Sequence, residues 1–177
     1  MPSTTQGQAK SPYTPGGTGG AVDFFLKINK IEGESADAKH AKEIDLQSWS
    51  WGASQSGTFA MGGGGGAGKV SMNDFEFECH QSKATPRLIA ACALGEHLTD
   101  ATLSARKAGG GQQDYFTIKM YDVLISSYQV EARDERPVER VTLNFAKVEV
   151  EYKPQKADGG LDSPVKFGYD LKKNVKL

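Results

Sequence analysis

Three sets of residues in this 177-residue chain have the types that chemistry uses, so their spacing decides whether any of it is possible. Gly63, four further residues, Gly68 and Lys69 nearly complete the glycine-rich loop that cradles phosphates. The next residue is Val70, where a metal-binding hydroxyl is needed, and the pattern beyond it predicts a strand. A phosphate loop works by aiming the amides of a helix N-terminus at the anion, so a following strand removes its basis. The G-x-G-x-x-G match at Gly63, Gly65 and Gly68 fails for the same reason. The run Gly62, Gly63, Gly64, Gly65 and Gly66 reads better as part of an arm that becomes ordered against a neighbour.

The second set is His40, His80, His97, Cys79 and Cys92, the residues a transition metal would draw on. Cys79 and His80 are adjacent on an expected strand, so their side chains leave on opposite faces. No paired spacing typical of a zinc site occurs, and no metal or other cofactor is expected. Both cysteines read as reduced, buried core residues. The third set is nucleophilic. There is no G-x-S-x-G elbow, and the neighbouring carboxylates Asp134 and Glu135 fall in a charged stretch that reads as solvated surface. The chain is therefore not expected to be an enzyme.

The elements that carry these residues follow from periodicity. Val22, Phe24, Leu26 and Ile28 alternate with polar positions and predict a half-buried strand. Gly33 to Lys42 is polar, and a second strand is expected over about Glu43 to Gly52. That strand puts Gln47, Trp49 and Trp51 on one face and Leu46, Ser48 and Ser50 on the other. Ala53 to Gly68 is too long for an ordinary connection and reads as a long Gly-rich loop. From Lys69 to Cys79 the apolar parity switches from Val70 and Met72 to Phe75, Phe77 and Cys79, which predicts a bulge or sheet corner near Asn73 and Asp74.

The segment from Lys83 to His97 predicts the one clear helix. Thr85 is its expected N-cap, Pro86 its first position, Leu88, Ile89 and Cys92 one face, and Gly95 its stop. Further strands are expected over Ala101 to Lys107, Tyr115 to Ser126 or beyond, Val141 to Tyr152, and Val165 to Leu171. A turn at Gly109 to Gly111 and a loop at Glu131 to Pro137 separate them. The sum is an all-β-dominated chain, a barrel or two packed antiparallel sheets with one flanking α-helix. Residues 1–20 are rich in Gly, Pro, Ser and Thr and read as a disordered extension; residues 21–177 form the single domain.

A formal net charge of −1 with acids and bases interspersed offers no basic stripe for nucleic acid. No run approaches the roughly 18 apolar residues of a membrane span, and no apolar run at the N-terminus suggests a cleaved signal peptide.

The stretches "VDFFLKI" from Val22, "GESADAKHAKEIDLQSWSWG" from Gly33, "GGGGGAGKV" from Gly62 and "KATPRLIAACALGEH" from Lys83 carry a resemblance. So do "VTLNFAKVEVEYKPQKADG" from Val141 and "PVKFGYDLKKNVK" from Pro164. From Ala21 onward the chain resembles the Hcp family, the haemolysin-coregulated proteins that build the inner tube of type VI secretion. The resemblance implies a tight β-barrel that assembles into homo-hexameric rings, stacked head-to-tail into a tube. It also implies small effectors carried in the lumen, a spike tip and a contractile sheath as partners, and a cytoplasmic protein that is later secreted. Set in such a ring, Ser48 and Ser50 are expected to line the lumen, and Gly62 to Gly66 to mediate contact between rings. Alternation fixes a face and not its direction, so the outer rim stays open as the place of the serines. A monomeric small-ligand-binding barrel is the alternative reading of the fold.

Overall fold

The computed structural model describes residues 22–55, 70–107, 113–133 and 136–177. Its organising element is a 20-residue strand, β7 in chain order, running from Asp114 to Arg133. Before it come β1 (Val22–Ile28), β2 (Ile44–Ser50), β3 (Ala53–Gln55), β4 (Val70–Met72), β5 (Phe75–His80), helix α1 (Thr85–Leu94) and β6 (Leu98–Lys107). After it come β8 (Arg136–Asn144), β9 (Lys147–Tyr152), β10 (Val165–Asp170) and β11 (Val175–Lys176).

Along one edge β7 pairs with β6, from Asp114 to Val123. Along the other it pairs first with β9, from Phe116 to Tyr121, and then with β8, from Leu124 to Arg133. The partner changes at Asp122, whose φ of 53° is a left-handed conformation that bends the strand. Because β8 pairs with β5, β5 with β2, β2 with β1 and β1 with β6, the antiparallel circuit returns to β7 and closes a six-stranded barrel. Strands β9, β10 and β11 continue the sheet beyond the barrel wall.

The alternation read from the sequence supplies the filling. Phe75, Phe77 and Cys79 of β5, Leu26 and Ile28 of β1, Leu103 of β6, Ile118 and Met120 of β7, and Val141 and Leu143 of β8 are all buried in one core. The parity change near Asn73 and Asp74 is the corner between β4 and β5, where the chain leaves a separate two-stranded ribbon and enters the barrel.

Several local expectations are corrected. Thr85 is not the N-cap: Ala84 holds that position with helical φ and ψ and no side-chain cap. The two hydroxyls instead organise the preceding turn, Thr85 Oγ1 accepting from the Ser82 amide at 3.0 Å and Ser82 Oγ from the Ala84 amide at 3.2 Å. The helix buries Leu88 and Ala91, whereas Ile89 is exposed; Gly95, at φ 60°, ends it as expected. The described residues of the expected loop at Glu131 to Pro137 continue the ladder between β7 and β8, with Glu131 opposite Val138 and Ala132 opposite Pro137. The strand expected over Val141 to Tyr152 is two, broken at Phe145 and Ala146.

Between β1 and β2 the chain folds back on itself. The Gly33 amide donates to the Lys42 carbonyl at 2.7 Å and the Ser35 amide to the Glu43 carbonyl at 3.0 Å. The space a Cβ would take at Gly33 is filled by backbone atoms of Glu43 and Ile44, which cannot give way. Gly33→Ala is predicted to cost about 2–4 kcal/mol, a drop in Tm of roughly 5–15 °C at this chain length. A thermal melt within about 1 °C of the parent would contradict the close approach.

Candidate functional site

The barrel interior is occupied by its own side chains, so what the protein can do is written on its outer faces. Four of these are distinct.

The first carries the two serines. Strand β2 pairs with β5 through Leu46 opposite Cys79, then Ser48 opposite Glu78, so Gln47 is an inserted bulge residue. The bulge resets the parity: Leu46 packs against the core together with Trp49, a correction to the expectation that Leu46 shares the serine face. Trp49 is wedged among Phe24, Phe75 and Phe116, its ring centre 6.1, 5.9 and 5.8 Å from theirs. Trp51 packs on Phe145. With the tryptophans turned inward, Ser48 and Ser50 are exposed on the outer face.

Their neighbours form a polar band running across β2, β5, β8 and β7. Ser48 Oγ donates to Glu78 Oε2 at 3.1 Å, and Glu78 Oε1 accepts from Arg140 Nη2 at 2.7 Å. One row along, Ser50 stands opposite Glu76 and Glu76 opposite Thr142, whose hydroxyl meets that of Ser126 at 2.8 Å. Asp74 accepts from Ser126 and from Asn144 Nδ2, the latter at 2.8 Å.

The second face is the ribbon. Ala53 to Gln55 pairs with Val70 to Met72, and the ribbon pairs with no other strand among the described residues. Residues Gly62, Gly63, Gly64, Gly65 and Gly66 lie outside the described residues, so the structure places only the base of that arm.

The third is apolar. As the sheet leaves the barrel, the row Ile118, Val150, Phe167 and the row Phe116, Tyr152, Val165 carry the inward-facing side of β7 out onto β9 and β10. There Tyr152 is 47% exposed, Val165 64% and Phe167 43%. Helix α1 presents a second apolar face, with Ile89 and Leu94 exposed. On the reverse side of the extension Glu151 joins Lys166 at 2.9 Å and Lys153 at 3.1 Å, and these ammonium groups hold its carboxyl below the usual range.

The fourth is the fold-back of residues 31–43 over β1 and β6. It brings Asp37 to Arg106 and His40 to Glu43 and Asp114, a grouping that no sequence spacing announced.

The residues weighed for metal or nucleophilic chemistry are dispersed. His80 meets Gln47 and the Pro137 carbonyl, and His97 is exposed. Among the described residues no three His, Cys, Asp or Glu side chains converge to hold a metal ion. Cys79 is buried, with its thiol 3.5 Å from Glu139 Oε2, while Tyr128 donates its hydroxyl to Glu139 Oε1 at 2.7 Å. Burial, and after it the Glu139 carboxylate, pushes the Cys79 thiol far above its ordinary range. Cys92 is only half-buried, a correction to its reading as a core thiol.

A closed antiparallel barrel with one flanking helix, a free ribbon and an apolar sheet extension defines the class of the protein. Residues 25–152 match the family model described as type VI secretion system effector, Hcp. The chain belongs to the Hcp family. It is 51% identical over 159 residues to protein hcp1 of Pseudomonas aeruginosa, covering 88% of this chain and 98% of that one. Among solved structures it is similar to a type six secretion system protein at TM-score 0.83 and 28% identity, covering 89% of this chain and all of that one. It is also similar to Hcp1 from Salmonella typhimurium at TM-score 0.74 and 34% identity, covering 89% and 99%.

The two thiols are predicted to separate in a labelling experiment on the folded chain. Cys92 should react first, and Cys79 at least about tenfold more slowly until denaturant is added, because the thiolate is the nucleophile. Equal rates for the two would contradict the difference in burial.

Proposed function

We propose that this chain is a tube subunit of a type VI secretion apparatus, forming homo-hexameric rings that stack head-to-tail and carry small effectors in the lumen. Membership of the Hcp family over most of the chain carries this reading. The structure adds a physical motive. A ring built by heterologous contact needs two unlike surfaces on one subunit. The apolar extension around Tyr152, Val165 and Phe167 and the exposed side of α1 around Ile89 and Leu94 are two such surfaces, and apolar faces of this kind are stabilised by covering. The contractile sheath and spike tip are the further partners of such a tube, and the route is from the cytoplasm to the outside. No described helix is long and apolar enough to cross a membrane.

Within this reading the polar band containing Ser48 and Ser50 faces the lumen, where hydroxyls and carboxylates suit a wet contact with cargo. The ribbon and the glycine arm beyond it reach the next ring, since an isolated two-stranded ribbon gains order from a partner. The runner-up, a monomeric ligand-binding barrel, is disfavoured by the side chains that fill the interior.

Light scattering after size exclusion is predicted to give a mass near six 19.0 kDa subunits. Phe167→Glu should shift it toward a single subunit with an unchanged circular dichroism spectrum. A parent mass of one subunit at all concentrations would favour the ligand-binding barrel.

Two further variants address the faces. Ser50→Gln should leave the hexamer intact and lower effector retention; loss of the hexamer would place Ser50 between subunits, and unchanged retention would place it on the outer rim. Deleting Gly62 to Gly66 should keep single rings and shorten tubes, and normal tubes and secretion would remove the arm from ring stacking.

A further inference from the structure

The fold-back of residues 31–43 forms a strap across the outer side of β1 and β6, and its fastening has an unusual proton requirement. Asp37 starts the fastening: its Oδ1 accepts from the amides of Lys39 at 2.8 Å and His40 at 3.1 Å, and its other oxygen pairs with Arg106 of β6. His40 follows, only 5% exposed, its ring lying on Phe25 of β1 with centroids 4.4 Å apart and planes 6° from parallel. The Arg106 guanidinium covers the same Phe25 ring at 5.0 Å. Both nitrogens of the His40 ring meet carboxylates: Nδ1 is 2.9 Å from Glu43 Oε2 on the strap, and Nε2 is 3.0 Å from Asp114 Oδ1 on β7.

A neutral imidazole has one N–H and one lone pair. Beside two ionised carboxylates it can donate to only one, and the other contact would set a nitrogen lone pair against oxygen lone pairs at hydrogen-bond distance. Two such short contacts therefore require one more proton than a neutral ring and two carboxylates supply. The charges that face the group are the carboxylates Asp37 and Glu43 of the strap, Asp23 of β1 and Asp114 of β7, against Lys27 of β1 and Arg106 of β6. Two carboxylates, Glu43 and Asp114, meet the one ring directly, and an added proton lessens the negative charge they bring to it. Burial pushes the Glu43 carboxyl upward, with His40 opposing it, so Glu43 too is better accommodated with a proton nearby.

We propose that Glu43, His40 and Asp114 form a proton-operated latch, closed over Phe25 and Arg106 while the extra proton is held and loosened when it is released. The sign follows from the count. A proton bound more tightly with the strap closed than open stabilises the closed form below the pH at which it leaves, and that stability falls as pH rises. Opening uncovers an aromatic ring and a guanidinium on the barrel wall, surfaces that are inaccessible in the closed form.

Amide hydrogen exchange on the full-length protein tests this. After correction for intrinsic base catalysis, protection at Ser35, Lys42 and Glu43 should fall as pH rises across the neutral range, with a slope of at most about tenfold per pH unit, the limit for release of one proton. Protection at Phe77 of β5 should stay constant. In His40→Gln, which offers an N–H and an oxygen without titrating, protection of the strap should lose that slope. An unchanged slope in the variant, or a flat profile in the parent, would overturn the latch. Should the variant fail to fold, nitrogen and carbon shifts of His40, Glu43 and Asp114 in the parent decide the matter. A neutral ring beside two ionised carboxylates at pH 6 would refute the proposal.

Discussion

Closure of the barrel rests on one strand serving two partners along the same edge. β7 can do so because it is long enough for two ladders in succession and because Asp122 bends it where the partner changes. Without that change of partner, β8 would have no strand to return to and the sheet would stay open, with two exposed edges. The same event creates the extension, since β9 occupies the half of the edge that β8 leaves free. One conformational constraint thus determines both the sealed interior and the apolar wing beside it.

A sealed interior divides the labour between faces. Inward residues of β1, β5, β6, β7 and β8 satisfy one another, and function is left to side chains that point away from the core. On β2 a single inserted residue, Gln47, lets Leu46 and Trp49 both reach the core while the two serines face outward beside Glu76 and Glu78. On β9 and β10 the apolar side has no barrel to enter, so it meets solvent. Family membership supplies the setting in which such faces are used.

Much of the fold was legible because strand alternation is a direct consequence of burying one face. Phe75, Phe77 and Cys79, the corner at Asn73 and Asp74, and the stop at Gly95 all followed from it or from glycine's freedom. That Ser48 and Ser50 share the face opposite Trp49 was legible too, although alternation alone did not say which way that face points. What escaped had no local chemical mark. A bulge can fall at any residue type, so Leu46 was placed on the wrong face. The ladder at Glu131 and Ala132 reads as a loop because Pro137 and the surrounding charges interrupt the apolar alternation there. Phe25 hid behind its neighbour Phe24: the sequence shows one alternating apolar row, whereas the strap covers the opposite face of β1 as well. The strap's fastening joins residues as far apart as His40 and Asp114, which only the closed barrel brings together.

Glu139 has a consequence for fidelity. It is a fully buried carboxyl inside the barrel, received by the Tyr128 hydroxyl and the Cys79 thiol from the two strands that flank it. A slip of β8 by one residue would turn it to the opposite face and leave both donors without their acceptor. A slip by two would return it to the interior beside hydrocarbon, where a lone carboxyl costs several kcal/mol. The three side chains therefore act as a checksum on strand alignment, recognising the correct pairing of β5, β8 and β7 and penalising its near neighbours.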